Sequence, residues 1–271
     1  MFRDITIGRF FPGESFVHRL DPRSKILVVF AALILIFLCR NFYALGLVFL
    51  FVLTGVLISR LSFKLIFSGL KTLYIIIAIT SLLQLFYNKQ GEVLFTWGFF
   101  APTDKGVAAA VFMAVRICSL ILISSLLTYT TSPTLLTDAL ERLLSPLAKL
   151  KVPVHTLAMM MTIALRFIPT LVDETDRIMS AQKARGADME TGPLHRRAKA
   201  MIPVLVPLFV NAFRRAFELA YAMECRCYHG GDGRTRLRVM KLGWRDAVTF
   251  AATAAVAAGI ILFNIYFEAV I

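Results

Sequence analysis

The chain has 271 residues, 58% of them hydrophobic, and a mean hydropathy of +0.73. Soluble domains hold about 45–50% apolar residues, so the excess points to membrane spans and argues against an ordinary soluble domain. Thirty lysines and arginines against 17 acidic residues give a net charge of +13, which suits an anionic membrane surface, an acidic protein partner or nucleic acid.

The opening MFRDITIGRFFPGESFVHRL carries Asp4 and Glu14 and lacks the charged, apolar, small-residue order of a cleaved signal peptide. HRLDPRSK (18–25) reads as an Asp21-Pro22 turn followed by a basic flank anchored at the membrane surface. A helical span needs roughly 20 mostly apolar residues, and about five such spans are expected. The first, 26–39, is short unless Lys25 and Arg40 snorkel from its ends. The second, 42–59, follows so closely that the two could instead make one tight hairpin. The third lies around 73–87 and begins nearer Ile66. The fourth, 107–129, carries Arg116, the only charge deep within a span. With no acidic residue in the apolar stretches to pair with it, Arg116 meets a protein interface or backbone carbonyls, or snorkels. The same lack of acids argues against a proton-coupled carrier. The last span, 247–266, holds Ala251, Ala252, Ala254, Ala255, Ala257, Ala258 and Gly259, which permit close helix packing within its own bundle or against a partner.

Between the fourth and last spans the pattern is helical and basic. In 132–150, Ser132 is a cap, Pro133 opens the first turn, and Leu135, Leu136, Ala139, Leu140, Leu143 and Leu144 share one face. Pro146 and Pro153 close this helix. A second helix runs from Val154 to Ala184, bent at Pro169. A third runs from Pro193 to Arg226, kinked or split by Pro203 and Pro207. The apolar runs 155–172 and 201–213 read as too short to cross a membrane alone, hence as helices sliding under or against the membrane domain.

If the N-terminus lies inside, the inner segments hold 5, 3 and 18 basic residues, and the outer ones only Arg40, Lys89 and Lys105. The expected organisation is a cytoplasmic segment 1–25, a four-span membrane domain 26–131, a cytoplasmic domain 132–245 and a final span 246–271 ending outside. The four cysteines show no disulfide framework.

Several chemistries are weak. Cys225, Cys227 and His229 do not converge as metal ligands on a helix, and the four histidines form no zinc motif. The stretch 230–246 is a Gly-rich turn and basic run, without the Gly-Lys-Ser/Thr of a phosphate loop, flanking the last span with Trp244 at the interface. Basic residues without interleaved aromatics argue against nucleic acid. A membrane-embedded enzyme acting on a lipid or peptide is the alternative class. Its best acids, Asp173, Glu174 and Asp176, point in different directions on a helix and read as a solvated turn.

Two arginines remain. Arg185 lies between Ala184 and Gly186, and Arg226 between Cys225 and Cys227, each at an expected helix end. A guanidinium there offers a fixed fork of donors to a partner's carboxylates or carbonyls. A basic residue at a helix C-terminus also has an ordinary explanation in the dipole.

The stretches DITIGRFFPGESFVHRLDPRSKIL (4–27), LRFIPTLVDETDRIMSAQKARGAD (165–188) and PVLVPLFVNAFRRAFELAYAMECRCYHGG (203–231), in that order, resemble the transmembrane component of energy-coupling factor transporters. The likeness covers nearly the whole chain and is closest to the shared-module type, which serves several substrates. It implies an all-α membrane protein of about five transmembrane helices plus a cytoplasmic domain of three coupling helices. It further implies that these helices link two ATP-binding-cassette ATPases, expected as a heterodimer, to an exchangeable substrate-binding membrane subunit for vitamin or micronutrient uptake. ATP and Mg would be bound by the ATPases, and this chain would hold no cofactor, catalytic residue or metal. The family's coupling signatures fall on Ala184, Arg185 and Gly186 and on Cys225, Arg226 and Cys227, with Arg166, Asp188 and Glu224 in support. At the second signature the family more often shows Ala-Arg-Gly or Ala-Arg-Cys. Cys225 is a small stand-in for Ala, and Cys227 stands where glycine would turn the chain more easily.

Overall fold

The computed structural model describes residues 10–87, 103–187, 193–231, 235 and 240–267, and among them it forms helices and no β-strand. In chain order these are α1 (Pro22–Leu38), α2 (Phe42–Ser59), α3 (Phe63–Tyr87), α4 (Asp104–Thr130), α5 (Pro133–Leu144), α6 (Val154–Ala184), α7 (Leu194–Glu224) and α8 (Trp244–Tyr266). The chain divides into two compact units, one built from Gly8–Leu136 and Val239–Ile271, the other from Thr137–Arg238.

In the first unit α1, α2, α4 and α8 surround a core in which Ile36, Leu45, Val48, Val52, Phe112 and Ile260 are fully buried, and α3 packs on α4. Local chemistry sets the helix ends. Asp21 caps α1 by accepting from the Arg23 N–H, with Pro22 in the first turn; Asn41 caps α2 and Thr103 caps α4 in the same way. The 17 residues of α1 and the 18 of α2 are separate helices joined through Cys39, Arg40 and Asn41. The small residues of α8 are used within the bundle: a Cβ on Gly259 would stand 2.9 Å from a Leu47 methyl on α2.

At the end where α1 begins, the basic flank is partly buried against the bundle, with Asp21 and Lys25 buried and Arg19 exposed. The Lys25 ammonium donates to the carbonyls of His18 and Thr130 and to the Thr131 hydroxyl, and the residue is only 6% exposed. A helix leaves its last carbonyls unpaired, and Lys25 supplies one of the missing donors to α4. Asp246, at the start of α8, is buried too; it accepts from the backbone N–H groups of Asp21 and Gly243, so this part of the 230–246 flank faces protein. Arg23 pairs with Asp21 at 3.0 Å and donates to the Met240 carbonyl; the Asp21 carboxylate holds the Arg23 guanidinium above its ordinary pKa. Just before α1, Phe11 N–H donates to the Tyr129 carbonyl, and the His18 ring bridges the Phe11 carbonyl and the Ser15 hydroxyl. Burial lowers the His18 pKa, and the Lys25 charge adds to the effect.

At the opposite end, Arg116 serves backbone carbonyls. Its guanidinium donates to the Cys39 carbonyl just past α1 and lies 4.7 Å from the centre of the Phe112 ring. Asn264 donates to the Leu38 carbonyl, and Asn41 to that of Phe263.

The second unit contains α6 and α7, each 31 residues long. Ser132 caps α5 as expected, through a bond from the Leu135 N–H. The helix stops at Leu144, however, and residues Ser145–Leu150 tighten into a 3-10 turn around Pro146. α7 is one helix: Pro203 and Pro207 lie inside it without splitting it. The expectation that 155–172 and 201–213 are too short to cross alone is also corrected. Both belong to continuous helices long and apolar enough to span a bilayer, because the periodic pattern carries on through the charged residues that seemed to end each run.

Candidate functional site

The two arginine tripeptides adopt the same backbone device. At the end of α6, Gly186 takes a left-handed conformation with φ of +85°. Its N–H donates to the Lys183 carbonyl at 3.0 Å, and the Ala187 N–H reaches back to Gln182 at 3.0 Å. Past α7, Cys227 is left-handed with φ of 56°, its N–H donates to Glu224 at 2.8 Å, and the Tyr228 N–H reaches Met223 at 3.0 Å. Both are Schellman motifs, which satisfy the last helix carbonyls through one left-handed residue. Arg185 and Arg226 occupy the corresponding position immediately before that residue. Cys227 therefore does the work expected of a glycine, despite a side chain that disfavours the left-handed region.

Both arginines are exposed, and neither guanidinium has an ion-pair partner among the described residues. The backbone of each motif is used up internally, so the side chain is the group left to engage another molecule.

The placement of these tips follows from three contacts between α6, α7 and the segment after α7. Near the start of α6, His155 is approached so closely by Gly231 that a Cβ there would lie 2.3 Å from the imidazole ring. Midway, Glu174 accepts from Asn211 and, at 2.8 Å, from the Arg215 guanidinium. Near the end of α6, the Gln182 amide donates to the Pro203 carbonyl at 3.3 Å. Residue numbers rise along α6 as they fall along its partner, so the helices run in opposite senses. Gly231 lies five residues past Arg226, a reach of at most about 18 Å, while His155 and Arg185 are about 45 Å apart along α6. The backbones at Arg185 and Arg226 therefore stand about 20 Å or more apart, one towards each end of the pair.

The helices also expose an apolar stripe. Leu205, Phe209, Phe213, Phe217 and Tyr221 recur every four residues along α7 and are all solvent-accessible, as are Met160 and Met161 on α6.

The structure gathers each tripeptide, Ala184-Arg185-Gly186 and Cys225-Arg226-Cys227, into one exposed turn. It does not bring Arg166 to the tip of its own helix, since that residue is exposed 19 positions earlier on α6. Glu224 sits in the final turn of α7 and contributes its carbonyl to the motif. Asp188 falls outside the described residues. Glu174 is not part of a solvated turn: it is in mid-helix, with its side chain 18% exposed, holding α7. Sequence reading missed Gln182, Asn211, Arg215 and His155 as organisers of the pair. Of these, the four-residue spacing of Asn211 with Arg215 is a signal that could have found two, and that of Pro203 with Pro207 marks the carbonyl that Gln182 meets.

Comparison with known proteins gives the family. A family model described as cobalt transport protein (CbiQ) matches residues 13–237. Among curated relatives, the energy-coupling factor transporter transmembrane protein EcfT of Brevibacillus brevis is 53% identical over 248 residues, covering 92% of this chain and 94% of that one. EcfT of Clostridium kluyveri is 51% identical over 249 residues, 92% of each chain. EcfT of Bacillus subtilis is 46% identical over 263 residues, 97% of this chain and 98% of its own. A family model matching residues 13–237 and relatives about half identical over nearly their full length place the chain in the family of energy-coupling factor transporter transmembrane proteins.

Proposed function

We propose that this chain is the coupling subunit of an energy-coupling-factor importer of the shared-module type. It transmits the ATP-driven motion of two ATP-binding-cassette subunits, a heterodimer, to an exchangeable membrane subunit that captures a vitamin or another micronutrient. ATP and Mg are held by the ATPases, and hydrolysis occurs there. With α6 and α7 lying along the inner face and not crossing, the N-terminus lies in the cytoplasm and the C-terminus outside, and that topology puts 26 basic residues on the inner side and three on the outer.

The observation that carries the reading is the pair of exposed Arg185 and Arg226 tips, built on one backbone motif at separated ends of α6 and α7. Two equivalent prongs suit two equivalent docking grooves, one per ATPase, and a planar guanidinium suits carboxylates or helix-end carbonyls there. The unpartnered apolar stripe of α7 gives the substrate-capturing subunit a surface to ride on, and the charges along α6 and α7 keep the pair at the inner membrane face.

Co-expression with two ATPase subunits tests this. Wild-type chain should co-purify with both, and Arg185→Ala and Arg226→Ala should each lower recovery of an ATPase, the double variant abolishing coupled uptake. A buried charge-assisted contact of this kind is worth about 2–5 kcal/mol when one partner is truncated. Full uptake by the double variant would refute the assignment.

A further inference from the structure

A cavity of about 220 Å³ lies inside the first unit, between α1, α2, α4 and α8. Its floor is buried and apolar, formed by Val28, Val29, Val52, Ile123 and Leu126. Its rim is exposed: Ile58 on α2 and Val248 on α8 are each about half accessible, so the cavity opens sideways between two spanning helices. The lining is mostly apolar, and a space larger than the ~150 Å³ apolar cavities known to take up benzene admits a hydrocarbon.

Five polar residues interrupt the lining, Ser24, Lys25, Thr54, Thr130 and Thr249. Ser24 is 1% exposed, and its hydroxyl has no hydrogen-bond partner. The neighbouring polar groups are already committed: Lys25 to three oxygens, Thr130 to the Leu126 carbonyl, Thr54 to Phe51 and Thr249 to Arg245. A buried donor without an acceptor is costly, and here it borders the mostly apolar cavity. At the same end of the bundle, Arg245 lies 5.9 Å from the Phe16 ring and 5.8 Å from that of Trp244. Phe16 lines the cavity, and Val248 on its rim is one turn beyond Arg245. The Arg245 guanidinium has no ion-pair partner among the described residues.

We propose that this cavity is a phospholipid site. One acyl chain fills the space between α2 and α8, its ester carbonyl accepts from the Ser24 hydroxyl, and the phosphate rests beside Arg245, with Trp244 at headgroup level. Ser24 and Arg245 both belong to the first turn of their helices, so a carbonyl and a phosphate of one lipid meet them at similar depth, with the chain running towards Val28 and Val29. The site depends on the first unit spanning a bilayer and not on the identity of the subunits that dock elsewhere.

The test uses the full chain alone, reconstituted in vesicles of equal parts phosphatidylcholine and phosphatidylglycerol and released for native mass spectrometry. Wild-type chain should retain one phospholipid. Ser24→Ala, which removes only an orphaned hydroxyl, should reduce retention roughly threefold or more. Ala252→Phe, on a cavity-lining position, should abolish it, while Phe30→Ala, on an exposed face of α1, should leave it unchanged. Thermal stability separates the dry alternative: in vesicles, Ser24→Ala should lower the apparent Tm. No retained lipid in the wild type, equal retention by the Ser24→Ala and wild-type chains, or a raised Tm for Ser24→Ala in vesicles would each overturn the site.

Discussion

The Gln182 side-chain amide donates to the Pro203 carbonyl oxygen, an acceptor left without its helical donor because the residue four positions on is Pro207. The last turn of α6, three residues before Arg185, is thus tied to the proline-interrupted stretch of α7. A helix defect on one element becomes the docking point for the other.

This predicts a conditional effect. Gln182→Ala should destabilise the helix pair by about 1 kcal/mol. In a Pro207→Ala background, where the restored N–H serves Pro203, the same change should cost almost nothing. A double-mutant cycle on the apparent Tm of the full chain measures this coupling; two independent, additive losses would contradict it.

The left-handed turn residues predict opposite outcomes for two substitutions. Cys227→Gly should stabilise the end of α7 by about 1 kcal/mol, because glycine adopts positive φ without steric penalty. Gly186→Ala should destabilise the end of α6 by a similar amount, through backbone strain alone, since a Cβ there would meet nothing within 4 Å. Hydrogen exchange of the amides of Gly186, Ala187, Cys227 and Tyr228 reports both.

Lys25→Met should be among the most damaging single changes in the first unit. It keeps the stem but leaves three oxygen acceptors without their charged donor, at about 1.5–3 kcal/mol per such bond. The expected result is a marked loss of folded protein in detergent, whereas Lys64→Met, on an exposed position of α3, should be neutral.

The pH dependence near α1 has a definite sign. His18 has a folded pKa below its unfolded value, so the unfolded chain binds the proton more readily. The neutral ring's contribution is intact above the unfolded pKa of about 6.5 and is lost as the pH falls below it. Between pH 7.5 and 5.5 the apparent Tm of the wild type should fall, and His18→Gln should flatten that dependence.

The helices and their order were legible because each rests on local signals: apolar runs for the spans, Ser132 as a cap, and the shared leucine face of α5. The second helix was read from Val154 to Ala184, the bounds the structure gives. The fates of charged residues were not legible in the same way. Lys25 and Asp246 looked like interfacial flanks, and only tertiary contact shows each facing backbone groups of another segment. Arg116 could be narrowed to a few options but not to the Cys39 carbonyl, since nothing in the local pattern names an acceptor 77 residues away. Glu174 was misjudged for the same reason. Its neighbours Asp173 and Asp176 suggested solvation, while its partners Asn211 and Arg215 lie on another helix.

The 17 residues of α1 and 18 of α2 have a consequence for the bilayer itself. At 1.5 Å per residue they measure about 26 and 27 Å, short of a ~30 Å hydrocarbon layer. Lipid tails beside this hairpin must compress to meet it, so the hydrocarbon layer is pinched on that flank.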